Sequence, residues 1–292
     1  MRLHRILILL PLLLGITLTK AEPSTSVLTI AFIDVGQGDA TLIRDGNGFD
    51  VLVDGGRKSA SDDLLEYIRQ VGVDDLEVVL ATHADSDHIG GLIAVLEAVD
   101  IPVESVYFNG YPGDTQTWTE FSNAVTSTGL SLNQAQFPNT YSWGGINVQV
   151  LNPLPSMVDP DQNKASVVLL LDYAQIAVLL PADIDSSVEN QLSSRTVTLQ
   201  ADILKVAHHG SKFSTSQSFL QEVLPLEAVI SVGPNPYDHP TIETLTRLAN
   251  IGANIWRTDY VGTVLLTSNG ESYEMLPKLT FLPLSFHTIF SP

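Results

Sequence analysis

Apolar residues follow two patterns along this chain, namely short runs and longer stretches with helical spacing. Residues 76–81, Leu-Glu-Val-Val-Leu-Ala, are rich in β-branched and apolar side chains, which is typical of a buried strand. Residues 89–99 carry apolar side chains at helical spacing. The same reasoning predicts strands at 27–35, 40–43, 49–53, 103–108, 203–207, 229–232 and 262–266, strands within 134–151, a hairpin at 166–180, and helices at 61–70, 117–126, 216–223 and 241–250.

The order of these elements predicts an α/β (α+β) architecture. Strands and helices are interspersed, but several strands follow one another through short connections, which a purely parallel sheet does not allow. Two mixed β-sheets packed face to face, with helices on the outside, account for both the apolar hairpin at 166–180 and the amphipathic helices.

The two ends of the chain differ from this pattern. Residues 1–21 have a basic start, an apolar run at 6–18 that contains Pro11, and small residues at the end. The run is short for a membrane-spanning helix, so we expect a signal peptide, export to a secreted or periplasmic location, and no stable membrane anchor. We expect residues 27–276 to form one folded domain and the apolar segment 277–292 to form a docking or disordered tail.

The amino-acid composition excludes several kinds of functional site. The chain has no cysteine, which removes disulfides, thiol catalysis and cysteine metal ligands. Its formal net charge of −19 disfavours non-specific binding of polyanions across a broad face. A group of basic residues lies beside the motifs described below: Arg57, Lys58, Lys164, Lys205, Lys212 and Arg257. If they form a positive rim, it would suit a phosphate or carboxylate group. Ordinary cations of surface loops are an equally good interpretation.

The strongest chemical signal lies at residues 82–91, Thr-His-Ala-Asp-Ser-Asp-His-Ile-Gly-Gly, between the strand at 76–81 and the helix at 89–99. His83, Asp85, Asp87 and His88 give two imidazoles and two carboxylates within six residues. Such a set of nitrogen and oxygen donors suits a divalent metal ion. Alternate residues of an extended segment point the same way, so these side chains can converge on one ion.

Two other interpretations of this segment are weaker. A solvated acidic loop would not concentrate two of the seven histidines of the chain here. A calcium loop that starts at Asp85 would need a glutamate at its twelfth position, where the chain has Leu96. The glycines at 90 and 91 are expected to let the backbone pass close to a bound group.

Other polar residues also follow predicted strands. Asp34 and Asp54 stand at strand ends, where we expect each carboxylate either to accept hydrogen bonds from turn amides or to hold a metal-ligating side chain in place. Asp183 follows the apolar hairpin and is predicted to be a rigidly held bridging carboxylate. His208 and His209 follow the strand at 203–207 and form a second candidate ligand pair.

Together these motifs resemble the metallo-β-lactamase superfamily. Residues 82–88 resemble its His-x-His-x-Asp-His signature, with Asp85 in place of the second histidine. The wider set looks like the C-terminal hydrolase domain of ComEC-type competence proteins: residues 32–40, 53–56, 182–183, 205–211, 235–240 and 257–259. The resemblance covers about residues 28–266 and implies an αββα sandwich with its metal site at one edge, between the sheets.

The chain departs from these families in three places. The membrane channel of ComEC proteins is missing, so DNA uptake does not follow from the resemblance. Ala182 precedes Asp183 where the family has glycine, and residues 163–166 stand where the superfamily has a further histidine ligand. The first metal position is therefore expected to be poorly liganded.

The resemblance implies a role for each residue of the site. His83 and Asp85 would hold one ion, Asp87 and His88 a second, and Asp183 would bridge, with His208 or His209 completing the set. The cofactor would be Zn²⁺ or Mn²⁺, up to two ions, and the nucleophile a metal-activated hydroxide that depends on Asp87. His239 and Lys212 are candidates for contacting substrate or protonating a leaving oxygen, and Ser211 for a hydrogen bond at the rim.

Three functions remain open from the sequence. The first is an exported phosphodiesterase or nuclease, acting on nucleotides or single-stranded DNA, with a competence-related role. The second is a metallohydrolase of a small ester, lactone or amide, which suits the acidic charge equally well. The third is a degenerate, non-catalytic domain that binds metal or a cell-envelope partner, which the missing histidine would explain.

Overall fold

The computed structural model of the chain describes residues 27–157 and 161–278. The predicted signal peptide at 1–21 and the tail beyond residue 278 lie outside the described residues. Within the described ranges, none of the helices combines the length and the apolar character that crossing a bilayer requires.

The first sheet has eight strands, in the order β15-β14-β1-β2-β3-β4-β5-β6. Its strands are β1 (Leu28–Phe32), β2 (Thr41–Arg44), β3 (Asp50–Val53), β4 (Val78–Ala81), β5 (Val106–Phe108), β6 (Leu132–Gln134), β14 (Val264–Ser268) and β15 (Tyr273–Pro277). Pairing is antiparallel from β15 to β3 and parallel from β3 to β6. The sheet therefore brings together both ends of the described chain.

The second sheet has seven strands, in the order β13-β12-β11-β10-β9-β8-β7. Its strands are β7 (Thr140–Trp143), β8 (Ile146–Asn152), β9 (Val168–Tyr173), β10 (Ile176–Leu180), β11 (Ile203–Lys205), β12 (Glu227–Ile230) and β13 (Asn254–Arg257). The apolar hairpin is the antiparallel pair β9–β10, and β10 to β13 run parallel. Both sheets are mixed, as the connections predicted.

Within residues 27–157 and 161–278, seven α-helices accompany the sheets: α1 (Ser61–Gln70), α2 (Ser86–Glu97), α3 (Gln116–Thr128), α4 (Ser186–Ser193), α5 (Gln217–Val223), α6 (Ile242–Asn250) and α7 (Thr258–Val261). Helices α1, α2 and α3 pack against the first sheet, and α4, α5 and α6 against the second. This is the predicted αββα sandwich.

The hydrophobic core has three layers, which explains the near-continuous apolar runs of the strands. In β10, Val178 and Leu180 face the opposite sheet, whereas Leu179 faces the helices. In β1, Ile30 and Phe32 face the opposite sheet, whereas Ala31 faces the helices. A strand covered on both faces needs apolar residues at every position rather than at alternate ones.

Several predicted boundaries were wrong. Helix α2 begins at Ser86 rather than at residue 89, so Asp87 and His88 are helical. Strand β11 ends at Lys205, and Ala207–Gly210 form a 3₁₀ turn rather than the end of a strand. Helix α4 was not predicted, because its polar sequence has weak periodicity, and Pro277 ends β15 instead of starting a tail.

The glycines of α2 also have a different role from the one expected. A Cβ atom at Gly91 would collide with the backbone carbonyl of Gly55, and one at Gly90 with the backbone nitrogen of Lys58. The two glycines therefore allow α2 to pack closely against the segment after β3. This packing fixes the helix that carries Asp87 and His88.

Candidate metal centre

The polar residues predicted from strand ends meet at one edge of the sandwich. His83 follows β4, Asp54 follows β3, Asp183 follows β10, and His209 follows β11. The carboxyl ends of parallel strands lie at a common edge, so strands of both sheets deliver their polar residues to the same place. The site therefore lies between the two sheets.

His83, His88 and Asp183 form its centre. One ligand atom from each lies within 4.8 Å of the others, and all three residues are buried. His88 Nε2 is 3.3 Å from Asp183 Oδ2, and the His83 and His88 rings lie 4.1 Å apart. This grouping could hold a metal ion with two nitrogens and one carboxylate.

Of the two adjacent histidines, His209 is the more deeply placed. Its Nε2 lies 3.5 Å from Asp183 Oδ2 and 3.9 Å from Asp87 Oδ2. His208 Nε2 is 3.8 Å from the same Asp183 oxygen, but its side chain is 29% exposed. Both histidines reach the site, and His208 is on its open side.

Asp85 and Asp87 lie at the rim. Asp85 Oδ2 is 3.5 Å from His83 Nε2, and its side chain is 43% exposed. Asp87 approaches His209, and its Oδ2 is also 3.8 Å from Arg57 Nη2. The structure thus brings both carboxylates to the imidazole cluster, from the side that solvent can reach.

Hydrogen bonds place the ring proton on the same nitrogen, Nδ1, in three histidines. His88 Nδ1 is 2.8 Å from the Asp54 carboxylate, and His209 Nδ1 is 2.9 Å from the Ser231 carbonyl, both of which can only accept. The Thr82 hydroxyl donates to Asp54 at 2.7 Å, so its oxygen accepts from His83 Nδ1 at 3.0 Å. The neutral imidazoles therefore carry their protons on Nδ1, which leaves each Nε2 free as a ligand.

These free atoms provide the test of whether a metal fits. His83 Nε2, His88 Nε2, His209 Nε2 and Asp183 Oδ1 are buried, and none has a hydrogen-bond partner among the described residues. Buried polar atoms without partners are rare in folded proteins and call for an explanation such as an ion. Three imidazoles and a carboxylate match the ligands that Zn²⁺ and Mn²⁺ accept, so the residues fit a divalent metal.

The side chains of the site favour a protonated His88 beside an ionised Asp183. Burial lowers the pKa of the His88 imidazole, but the Asp183 and Asp54 carboxylates outweigh it and hold that pKa well above its usual value. Burial raises the pKa of Asp183, but His209 and His88 outweigh it and hold that pKa well below its usual value. Without metal, His88 therefore keeps a proton that a free imidazole would lose.

This gives a pH-dependent prediction for metal binding. Because the pKa of His88 is raised, the metal must displace a proton below that pKa, so affinity for Zn²⁺ or Mn²⁺ should rise with pH. Each proton released contributes about tenfold in affinity per pH unit. Calorimetric titrations in buffers of different ionisation enthalpy between pH 6 and 8 measure both quantities. Affinity that is independent of pH, with no proton release, would contradict the expectation.

Ala182, which stands where the family has glycine, adopts the left-handed conformation that glycine favours, with φ of 49°. Its carbonyl accepts a hydrogen bond from the backbone nitrogen of His208 at 3.0 Å, so this strained turn joins Asp183 to the adjacent histidines. His208 and His209 also have positive φ values, of 51° and 52°. Strain of this kind persists where surrounding contacts fix it, and it often occurs at functional sites.

A pair of glycine substitutions tests the strain at Ala182. We expect Ala182→Gly to change the free energy of unfolding by less than about 0.5 kcal/mol, because relief of the left-handed strain offsets the lost methyl group and the added chain entropy. The control is Ala98→Gly, at a residue with φ of −73°. There glycine should cost about 1 kcal/mol. Urea unfolding measures both, and equal losses would contradict the strain at Ala182.

Asp34 and Asp54, which were expected to bond turn amides or to hold a ligand in place, differ in their surroundings. Asp54 accepts hydrogen bonds from Thr82 and His88 within the site. Asp34 accepts from the backbone nitrogen of Gly36 at 3.1 Å and lines a neighbouring cavity. Among the described contacts, Asp34 is not bonded to any of the candidate ligands, so Asp54 alone of the two supports them directly.

Of three further predicted residues, Ser211 and Lys212 directly follow the adjacent histidines, and His239 lies on the loop between β12 and α6. Ser211 is buried, and its hydroxyl oxygen accepts from the backbone nitrogen of Phe213 at 3.3 Å, so it shapes a turn. Lys212 places its Nζ 5.2 Å from the Phe213 ring centre. The His239 ring lies 5.6 Å from that of His208. Burial lowers the pKa of His239 to about 4, so its imidazole is neutral at pH 7.

Of the two alternatives for the basic residues, the structure favours cations in local ion pairs over a positive rim. Most of its members pair with carboxylates: Arg57 with Asp87, Lys58 with Glu120, Lys164 with Asp185, Lys205 with Asp39, and Arg257 with Asp259. A cavity of about 840 Å³ opens instead beside His239. Its walls include four aspartates, Asp34, Asp63, Asp238 and Asp259. The surroundings of the site are thus acidic.

Sequence reasoning missed two features of the site. One is the buried ion pair of Asp39 with Lys205, a residue that the sequence indicated only as a rim or loop cation, and the other is the Ser231 carbonyl that fixes the His209 proton. A lysine at the end of an apolar strand was a usable signal, because such a residue rarely becomes buried without a partner. The role of Ser231 left no signal, since any residue supplies a carbonyl.

The chain is similar in sequence to several known proteins. Residues 33–126 match the family model described as the metallo-beta-lactamase superfamily. The chain is 28% identical over 257 residues to ComE operon protein 3 of Bacillus subtilis, covering 80% of this chain and 32% of the relative. It is 32% identical over 250 residues to Recombination protein 2 of Haemophilus influenzae, covering 84% of this chain and 29% of the relative. The chain therefore spans about a third of the length of these relatives.

A solved structure has a similar fold. The metallo-beta-lactamase fold protein YhfI from Bacillus subtilis superimposes with a TM-score of 0.56 at 14% sequence identity. The match covers 82% of this chain and 99% of YhfI. At this identity the likeness concerns the fold alone.

Proposed function

Because this chain is a metallo-β-lactamase superfamily protein that resembles the ComEC-type competence proteins, we propose that it is a metal-dependent hydrolase that cleaves phosphodiesters. The observation that carries the proposal is the set of buried atoms without partners, His83 Nε2, His88 Nε2, His209 Nε2 and Asp183 Oδ1. A divalent ion bound there would lower the pKa of a water molecule toward neutrality and offset charge on a phosphate.

The roles that we assign to the site residues depend on how deeply each side chain is buried. We assign His83, His88, His209 and Asp183 to holding metal, because their free atoms converge within the site. Asp85, Asp87 and His208 lie on the open side, where they could complete the ligand set or position an attacking water. If a second ion binds, Asp87 and His209, whose Oδ2 and Nε2 atoms lie 3.9 Å apart, would help to hold it.

His239 takes a narrower role than the sequence suggested. Its imidazole is neutral at pH 7, because burial lowers its pKa to about 4. A neutral imidazole can donate a hydrogen bond to a substrate oxygen but is a poor proton donor to a leaving group. We therefore assign His239, which lines the acidic cavity, to substrate contact. Ser211 is buried and shapes a turn, and Lys212 lies over Phe213, so neither is assigned a catalytic role in this proposal.

The names of the relatives support a phosphodiester substrate. One is named Recombination protein 2 and another Competence protein ComA, from Neisseria gonorrhoeae, which is 30% identical over 233 residues. Single-stranded DNA and small phosphodiesters are the substrates to test first. The chain covers only about a third of each relative, so this part of the proposal depends on the hydrolase domain alone.

A specific observation favours a second candidate, the metallohydrolase of a small ester, lactone or amide. The cavity beside His239 is lined by Asp34, Asp63, Asp238 and Asp259, and the chain carries a net charge of −19. Such a field repels a polyanion and accepts a neutral or cationic molecule. A short phosphodiester is affected less than a long strand, so the two candidates differ most for polymeric DNA.

One experiment separates these functions. Protein freed of metal with a chelator is reloaded with Zn²⁺ or Mn²⁺ and assayed on bis(p-nitrophenyl) phosphate, single-stranded DNA, and a panel of esters, lactones and amides. We expect metal-dependent hydrolysis of the phosphodiester. Hydrolysis confined to the uncharged panel would replace the proposal with the second candidate. Less than about one bound ion per chain, with no turnover, would indicate the non-catalytic domain.

We also propose that the protein is exported. Residues 1–21 combine a basic start with a short apolar run and small residues, as a signal peptide does. N-terminal sequencing of protein recovered outside the cytoplasm should begin close to residue 22. Recovery from the cytoplasm with residue 1 intact would contradict export.

A further inference from the structure

Asp39 and Lys205 form an ion pair deep inside the protein. Lys205 Nζ donates to Asp39 Oδ2 at 2.7 Å, and the two side chains are only 3% and 6% exposed. Lys205 also donates to the carbonyl of Val206 at 3.2 Å. A buried ion pair adds little to stability compared with apolar residues of the same size, because removing two charges from water is costly. Its presence beside the site therefore needs an explanation other than stability.

The pair joins the two sheets at the metal centre. Asp39 lies between β1 and β2, where its backbone nitrogen donates to Asp87 O at 3.1 Å and its carbonyl accepts from Gly56 N at 2.7 Å. Asp39 is thus fixed to the segments that carry the ligands of the first sheet. Lys205 ends β11 of the second sheet, four residues before His209. The ion pair spans the gap that the ligands must also span.

One oxygen of Asp39 faces His209. Asp39 Oδ1 lies 3.4 Å from His209 Nδ1, the nitrogen that also donates to the Ser231 carbonyl at 2.9 Å. Asp39 Oδ1 is buried and has no hydrogen-bond partner among the described residues, because Lys205 binds the other oxygen. The ammonium therefore holds the carboxylate in the orientation that places negative charge beside the Nδ1 proton. This arrangement keeps that proton on Nδ1 and leaves Nε2 free.

The backbone at His209 explains why such support is needed. With φ of 52°, His209 occupies a conformation that costs free energy for a residue with a Cβ atom. Its ring would relax to another position without contacts that fix it. Ser231 fixes it by one hydrogen bond, and Asp39 adds a charge-assisted contact on the same side of the ring.

Asp39 has one alternative role, as a metal ligand itself. Asp39, Asp54 and His88 also offer one atom each within 4.8 Å of one another. However, Asp54 Oδ2 already binds His88 Nδ1, and Asp39 Oδ2 already binds Lys205. A cation placed among these atoms would also lie next to the Lys205 ammonium. The contacts present therefore favour a supporting role for Asp39.

We infer that Asp39 and Lys205 are positioning residues, a charged latch between the two sheets that holds His209 with Nε2 directed at Asp183. This inference rests on the proposed function, because it assigns the latch to the same metal centre. Asp39 and Lys205 would thus keep a ligand in position without binding the ion themselves.

Two variants separate positioning from stability. Lys205→Met removes the ammonium and leaves a buried, unpaired carboxylate, so it should lower both metal affinity and thermal stability. The double variant Asp39→Leu/Lys205→Met replaces the pair with apolar groups and should recover thermal stability. Its affinity for Zn²⁺ or Mn²⁺, measured by calorimetry, should stay about 10- to 100-fold weaker than that of the wild type.

A matched control is Arg44→Met, which breaks the 2.9 Å ion pair of Arg44 and Asp50 between neighbouring strands of the first sheet. It should leave metal affinity unchanged. Co²⁺ loading gives a second measurement, because the visible spectrum of the double variant should change as His209 is displaced. These measurements do not require turnover.

The outcomes are distinct. Wild-type affinity and an unchanged Co²⁺ spectrum in the double variant would overturn the latch while leaving the proposed function intact. Tighter metal binding in Lys205→Met would overturn it in favour of Asp39 as a ligand. A wild-type protein that binds neither Zn²⁺ nor Mn²⁺ would remove the proposed function, and the latch with it.

Discussion

Asp183→Asn is expected to lower the affinity for Zn²⁺ or Mn²⁺ by roughly 100-fold or more, and phosphodiester hydrolysis with it. Asp183 Oδ2 lies 3.3 Å from His88 Nε2, 3.5 Å from His209 Nε2 and 3.8 Å from His208 Nε2. A single carboxylate oxygen therefore faces three imidazoles. Asparagine keeps the shape of the side chain but removes the charge that draws a cation to this point.

The same substitution has a measurable effect without metal. The Asp183 carboxylate, together with Asp54, raises the pKa of His88. Asp183→Asn should lower that pKa, which NMR titration of the histidine rings can follow. The matched control is Asp172→Asn, at a half-buried carboxylate of β9 that accepts from Gln149 Nε2 at 3.1 Å. Metal affinity equal to that of the wild type in Asp183→Asn would exclude this carboxylate as a ligand.

Asp54→Ala is expected to reduce the free energy of unfolding by roughly 3–5 kcal/mol. Asp54 accepts from the Thr82 backbone nitrogen at 2.8 Å, the Thr82 hydroxyl at 2.7 Å and His88 Nδ1 at 2.8 Å. All of these groups are buried, so alanine leaves several donors without a partner. Urea unfolding of the metal-free protein measures the loss.

Asp54→Asn separates the contribution of Asp54 to stability from its contribution to metal binding through His88. Asparagine tolerates the left-handed backbone found here, with φ of 59°, and its carbonyl can still accept from Thr82. Its amide group, however, would donate to His88 Nδ1 and move the imidazole proton to Nε2. We expect most of the stability to return while metal affinity stays about 10- to 100-fold below that of the wild type. Full recovery of affinity would show that the His88 proton is fixed by another group.

Much of the fold was accessible from the sequence because its signals are local. The apolar run at 76–81 became β4, and the hairpin at 166–180 became β9 and β10. Hydrophobic spacing reports whether a segment is buried on one face or two, which depends mainly on its own residues. Helix α4 escaped because a short polar helix carries little of this signal.

The candidate site shows the same division. His83, His88, Asp183 and His209 were recognisable because polar side chains directly after buried strands are unusual, and strand ends can be located in a sequence. The roles within the cluster were not recognisable. His208 and His209 are neighbours in the chain, and only their left-handed turn gives His209 the buried position and His208 the open one.

The amino-acid sequence was enough to predict the layered αββα fold, the segments that carry the candidate metal ligands, and the acidic charge. Only packing in three dimensions set which ring nitrogens are free, which cations pair with carboxylates, and that an acidic cavity lies beside His239. The difference comes from distance along the chain. Asp39 and Lys205 are separated by 166 positions, and their contact exists only because packing of two sheets brings them to 2.7 Å. Hydrophobic periodicity is a property of one segment, whereas the orientation of a buried polar group depends on every segment packed around it.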